Sequence, residues 1–192
     1  HRVDRRQRQM CIRDRSRGDR MPTSGPNWNP TIEYYDCRYA VLREPLGFPR
    51  GAEILADDSE AIHSWVESNG LVVGVGRAHL IHPDSDGSQA DHAGVGAAVC
   101  PAFSPLTNSN YRPAIQIRQM GTRKEFRRNG YAARVLAELE NESKIILGAK
   151  YGFLQAREAA IPFYQSQGWK IIDEEYSIQG IGPHRSMMKS LE

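Results

Sequence analysis

The chain has 192 residues, of which 40% are apolar and 25% charged, with 25 Lys and Arg against 23 Asp and Glu. That balance excludes a disordered or polyelectrolyte protein, and a chain of this length can bury roughly 70% of its unfolded surface as one domain without disulfides or structural metal. No apolar run approaches a membrane span, the N-terminus lacks the apolar core of a secretory signal, and three widely spaced cysteines (Cys11, Cys37, Cys100) fit a reducing, cytoplasmic setting.

Residues 1–20 show no hydrophobic periodicity and carry eight arginines, without which the chain is mildly acidic. A basic arm for nucleic acid would rest on them alone. The string Met-Cys-Ile-Arg-Asp-Arg at Met10–Arg15 is also what the end of a common transposon-based sequencing adapter encodes, and Met21 reads as a start. The segment is therefore expected to be a non-native or disordered extension, and no nucleic-acid or membrane partner is expected.

Residues 32–44 place Tyr35, Tyr39, Val41 and Leu42 on a helical face that ends before Pro45. After the loop "PLGFPRG", Asn69-Gly70 between two β-rich runs predicts a hairpin. Gly74 and Gly76 leave one face of its second strand bare, as expected where something packs closely on a sheet. Residues 82–113, rich in Pro, Gly, Ser, Asn and Asp, read as a long loop insertion. His82 and His92, with Asp84, Asp86 and Asp91, are too irregularly spaced for a metal site, and no metal is expected.

A strand at 115–120, a helix from Asn129 to Lys150 and a strand at 152–156 follow. A short helix comes next, with Pro162 in its first turn and Gly168 at its end. "WKIIDEEY" is expected to be one strand and "HRSMMKSL" a last one. The order gives an α/β domain over residues 32–191 with a mixed sheet, antiparallel at its first hairpin.

The turn Arg127-Arg128-Asn129-Gly130-Tyr131-Ala132 lies between a strand and a long helix. Unpartnered first-turn N–H groups suit a diphosphate, Gly130 allows close backbone approach, and the arginines add charge-assisted bonds. On this hexapeptide alone, a glycine that merely starts a helix beside solvated arginines explains the pattern equally well.

The pattern Arg127-x-x-Gly130-x-Ala132 after an apolar strand resembles motif A of the GCN5-related N-acetyltransferase (GNAT) superfamily. "LQAREAAIPFYQSQGWK" is similar to its motif B, through Ala160, Phe163, Tyr164 and Gly168, with Trp169 in place of Phe and Gln155 in place of Asn. "RYAVLREPLGFPRG" and "GIGPHRSMMKSL" resemble the first helix and the ending of a bacterial branch of small members. The resemblance covers roughly residues 32–191. It implies a mostly antiparallel mixed sheet splayed between its fourth and fifth strands, with helices on both faces.

It further implies transfer of an acetyl group from acetyl-CoA to a primary amine of a small molecule or a protein, by a monomer or homodimer. Cofactor contacts would come from Met120, Thr122, Arg127, Arg128, Asn129, Gly130, Tyr131, Ala132, Gln155 and Tyr164. The Met120 backbone N–H would face the thioester carbonyl, and Tyr164 would be the acid for the leaving thiolate. Gln116 stands where some members have a glutamate base, so a water chain or a residue from elsewhere must serve, with His184 a candidate base. Arg38 and Arg43 are candidate grips for an acidic group on the acceptor, which the sequence does not identify. The same fold binding acyl-CoA without turnover, as a sensor, is the alternative.

Overall fold

The structure is a computed structural model that describes residues 18–192, together with the backbone of Ile12–Arg13. Most of the segment 1–20 therefore lies outside the described residues. In chain order the strands and helices are β1 (Ile12–Arg13), β2 (Arg20–Met21), β3 (Thr23–Ser24), α1 (Ile32–Leu42), β4 (Ile62–Ser68), β5 (Leu71–Leu80), β6 (Gln89–Ala90) and β7 (Val99–Cys100). They continue with β8 (Ala114–Thr122), α2 (Tyr131–Leu147), β9 (Tyr151–Arg157), α3 (Ile161–Ser166), β10 (Lys170–Ile171), β11 (Tyr176–Ile178) and β12 (Gly182–Ser190). One large sheet runs β1-β2-β4-β5-β8-β9-β12-β10, with β3 on β4 and β11 on β12. Its pairs are antiparallel apart from β8–β9, which is parallel. This is the splayed α/β sheet the resemblance implied.

The expected hairpin forms with Asn69 and Gly70 at φ 49° and 81°, the left-handed pair that a two-residue turn requires. Thr31 caps α1 by accepting a bond from the Tyr34 N–H at 3.3 Å. α2 covers one face of the sheet, where Val135, Leu136 and Leu139 join Ile62, Val66, Val73, Ile115 and Leu154. Gly76 is what lets it settle there: a Cβ on Gly76 would lie 2.4 Å from Met120 Sδ and 2.8 Å from Val135 Cγ1. α1 covers the other face, with Tyr34 and Cys37 on Trp65, Val72 and Val75.

Three sequence readings change. Residues 18–20 belong to the fold: Asp19 is buried and its Oδ2 accepts a bond from the Tyr131 hydroxyl at 2.6 Å. The 82–113 segment has its own apolar contacts, with Phe103 and Leu106 buried beside Phe153 and Ala114. The single strand read at 169–176 is divided into β10 and β11. Between them Ile172 donates to Ser186 O at 3.0 Å and Asp173 Oδ1 accepts from Ser186 N at 2.9 Å, which bends the chain off the ladder. No helix among the described residues is long and apolar enough to cross a membrane.

Beneath α1 lies a polar network that periodicity could not reveal. Arg38 and Arg77 are both fully buried and share Asp58, at 2.9 and 2.7 Å. Arg77 also forks onto Asp57, at 2.9 and 2.8 Å. Burial alone would raise both carboxyls, but Arg77 holds Asp57, and Arg38, the Leu55 N–H and Arg77 hold Asp58, below the usual carboxylate range. Burial also depresses His63 to about 3, and burial with Arg77 depresses His79 to about 3.

Both histidines stay neutral when folded, whereas in the unfolded chain they protonate near pH 6.5. Stability is therefore complete above about pH 6.5 and falls as pH drops toward the folded values, by about 1.4 kcal/mol per pH unit for a fully buried group such as His63. Urea unfolding between pH 7.5 and 4.5 checks this, and His63→Asn should flatten the slope.

Candidate active site

Strands β8 and β9 pair at only three positions, Ala114–Tyr151, Ile115–Gly152 and Gln116–Phe153. Beyond these, β8 stays with β5 and β9 stays with β12, so the sheet parts. A bulge sharpens the opening: Gly121 faces Val75 and Arg118 faces Arg77, leaving Gln119 and Met120 opposite Gly76 alone. Gln119 takes φ 57°, a left-handed conformation that its neighbours must hold in place. Arg43 does so, donating from Nη2 to Gln119 Oε1 at 2.8 Å.

The opening is a cleft of about 270 Å³ walled by Ile117–Thr122 on one side and Leu154–Arg157 on the other. It is reached by Arg43, Asp91, Arg127, Tyr164, Ile178 and His184. Of the residues expected at a site, it therefore gathers Met120, Thr122, Arg127, Gln155, Tyr164, His184 and Arg43.

Arg128, Asn129 and Gly130 lie exposed on the loop that leads into α2. Arg127 Nε donates to Thr122 O at 3.3 Å, tying that loop to the end of β8. Gly130, at φ 77°, is the cap residue and has no side chain to bond the first-turn N–H groups of α2. The helix head is thus open to an anion. The Tyr131 side chain turns inward to Asp19, so only its backbone and that of Ala132 can face a ligand at this turn.

Two expected side chains are committed elsewhere. Arg38 does not reach the cleft: its fork is bound to Asp58, Glu53 O and the Tyr34 hydroxyl, and its plane lies 5.1 Å from the Tyr34 ring centroid. It is a core residue, which corrects its reading as a substrate grip. Gln155 lines the cleft, but its Nε2 donates to Pro101 O at 2.9 Å. Arg43 is on the wall yet buried, donating to Ala52 O and Gln119; burial lowers it to about 10.

Tyr164 lines the cleft, and burial lifts its phenol well above the ordinary range, so it holds its proton at neutral pH. His184 is pushed down by burial, against the opposing effect of its bond to Gly182 O at 2.8 Å. A carbonyl only accepts, so Nδ1 carries the hydrogen and Nε2 keeps a lone pair. One proton donor and one neutral acceptor thus line the same cleft.

Sequence reasoning allowed the 82–113 segment a part in acceptor choice but did not show which of its residues reach the site. Arg118 donates to Gln89 Oε1 at 3.1 Å and to the carbonyls of Ala90 and Asp91, both at 2.8 Å. Gln89 Nε2 donates to Gln116 Oε1, and Gln116 is itself buried. The alternation Gln116, Arg118 between Ile115 and Ile117 was the available signal: it marks a polar strand face that something must cover. Among the described residues no three His, Cys, Asp or Glu side chains gather as a metal site.

The family model of the acetyltransferase (GNAT) domain matches residues 105–191. Among curated protein sequences none matches. In fold the chain is similar to an acyl-CoA N-acyltransferase from Pseudomonas aeruginosa, with TM-score 0.61 and 12% identity over 90% of this chain and 99% of that one. It is similar to Escherichia coli ElaA, with TM-score 0.57 and 15% identity over 84% and 93%. It is also similar to the ribosomal-protein-S18-alanine N-acetyltransferase of Escherichia coli, with TM-score 0.55 and 14% identity over 83% and 86%.

Replacing Arg118 should release the segment it clamps. Arg118→Ala is expected to speed amide exchange at Ala90 and Asp91 at least roughly tenfold while β9 and α2 stay protected, as the loss of three local bonds predicts. Hydrogen-exchange mass spectrometry reads this directly.

Proposed function

We propose that the chain is a GNAT-superfamily protein, a reading supported by the family match over residues 105–191 and by the fold, and that it is an acetyl-CoA-dependent N-acetyltransferase acting on a primary amine. The observation that carries the reading is the parted pair β8–β9, with an uncapped helix head at its mouth and a Tyr–His pair along its walls. The strand edges facing the gap suit an extended amide-bearing arm such as pantetheine. The open head of α2, with Arg127 and Arg128, suits the diphosphate. Thr122 and the cleft edge of β9 at Gln155 lie along the path between them.

In this reading the acceptor ammonium gives a proton to His184 Nε2, and its neutral nitrogen attacks the thioester carbonyl carbon. The Met120 N–H stabilises the oxyanion that forms, an interaction strongest in the transition state. The C–N bond forms, the C–S bond breaks, and the thiolate takes the Tyr164 proton, which the second nitrogen proton replaces by way of solvent. In sum, ammonium and thioester give amide, thiol and one proton. The side-chain bonds holding Gln116 support a structural role for it and keep a second reading alive, that of a sensor that binds acyl-CoA without turnover.

Calorimetric titration with acetyl-CoA, followed by thiol release over a panel of amines, tests the proposal. Binding with turnover supports it, binding without turnover on any amine favours the sensor, and no binding by folded protein removes both.

Two variants sharpen this. Gly130→Glu sets a carboxylate against the diphosphate and should weaken coenzyme A binding by on the order of 100-fold or more. Its left-handed backbone adds about 1–2 kcal/mol of strain, so Gly130→Asn, which tolerates that conformation, is the control expected to keep most of the affinity. Tyr164→Phe should lower kcat by on the order of 100-fold with the acetyl-CoA Kd little changed; an unaltered kcat would remove the acid role.

A further inference from the structure

The cleft is a poor home for a cation except at one point. Among the described residues lining it are four arginines (Arg43, Arg118, Arg127, Arg157) and a single carboxylate, Asp91. Asp91 Oδ2 is buried and accepts no hydrogen bond among the described residues. Leaving a carboxylate oxygen in that condition is costly unless a ligand completes it. Its other oxygen meets only a weak donor, the Cys100 thiol at 3.7 Å, which burial and Asp91 itself push up to about 12.

The side chain is nonetheless delivered by a fixed backbone. The Asp91 N–H donates to Ala98 O at 2.9 Å and its carbonyl accepts from Arg118. Asp91 thus stands beside β8 in the cleft that His184 also lines.

A second hollow, of about 490 Å³, adjoins the cleft at this point. Asp91 and Ile178 line the first, and their chain neighbours His92 and Gln179 line the second. Phe48, Pro49, Ala52, Val95 and Ala98 make its wall largely apolar, with the Phe48 and His92 rings 4.3 Å apart. Arg50 at its edge is already paired with Asp36 at 2.6 Å and Glu53 at 3.4 Å.

We propose that Asp91 is the acceptor-recognising residue, binding the ammonium of a primary amine whose apolar aryl or branched alkyl body fills the second hollow. The proposal rests on the acetyltransferase reading and deepens it. The ammonium supplies the donors that Oδ2 lacks and neutralises the one acid among the arginines. Held there, the amine nitrogen lies in the same cleft as His184. The insertion thus provides the anion that β8, with Gln116 in place of a carboxylate, does not. Acceptors whose amine-bearing body is itself acidic are disfavoured by the apolar wall.

The test is calorimetry with 2-phenylethylamine as probe, titrated into the full chain with and without saturating coenzyme A. Asp91→Asn, which preserves shape, should weaken amine binding by roughly 10- to 100-fold, and 2-phenylethanol should bind wild type no better than the amine binds the variant. Coenzyme A affinity and thermal melting should be unchanged in Asp91→Asn. Phe48→Ala should weaken the amine severalfold while leaving the carboxylate in place, and serves if Asp91→Asn folds poorly. Equal amine affinity in wild type and Asp91→Asn overturns the proposal, as does failure of wild type to bind the amine in either titration. Absence of coenzyme A binding in the same experiment overturns the acetyltransferase reading, and is read independently of the amine.

Discussion

The parting of β8 from β9 is the constraint on which the site depends. A strand inside a sheet satisfies its backbone groups on both sides, but here each strand keeps one partner and turns a polar edge toward the gap. Such edges call for an extended ligand with its own amides, for water, or for another strand. The bulge at Gln119–Met120 turns the same edge toward the chemistry, and Gly76 makes room for Met120 and α2 beneath it. A cleft of this kind cannot be moved along the sheet without rebuilding both faces.

The gap has to be held open as well as formed. On the α1 face, the buried Arg38–Asp58–Arg77 network fixes α1 against β5, and the end of that helix brings Arg43 to Gln119. Losing one member would strand a buried charge, an effect of about 3–5 kcal/mol in comparable networks. On the far side, the 82–113 segment docks through Phe103 and Leu106, brings Asp91 to the cleft, and bonds the wall residues Arg118 and Gln155 through Gln89 and Pro101. The site is therefore closed by two unlike devices, one ionic and buried, the other a loop on an apolar foot.

Unlike groups meet at the cleft. Arg127, Arg128 and the head of α2 are suited to anions, while the lining also offers a proton donor in Tyr164, a neutral imidazole in His184 and, among the described residues, one carboxylate in Asp91. Burial produces the two protonation states by disfavouring the charged form of each group.

The sequence by itself determined the elements and the glycine turn at the head of α2. Asn69-Gly70, Thr31, Gly130 and the period of α2 act over a few residues, and local sterics and unpartnered N–H groups leave them little choice. Those local signals, with the motifs at Arg127–Ala132 and Leu154–Lys170, were enough to read the fold. The sequence could not say which polar side chains are committed to the core. Arg38 and Arg43 look alike on one helix, yet Arg38 closes an ion network with residues twenty positions away, whereas Arg43 reaches a strand seventy-six positions away. Nor could it show that Asp91, in a stretch of loop composition, stands inside the cleft. Those choices belong to tertiary structure, because burial and charge pairing are decided by residues distant in the chain that only the folded sheet brings together.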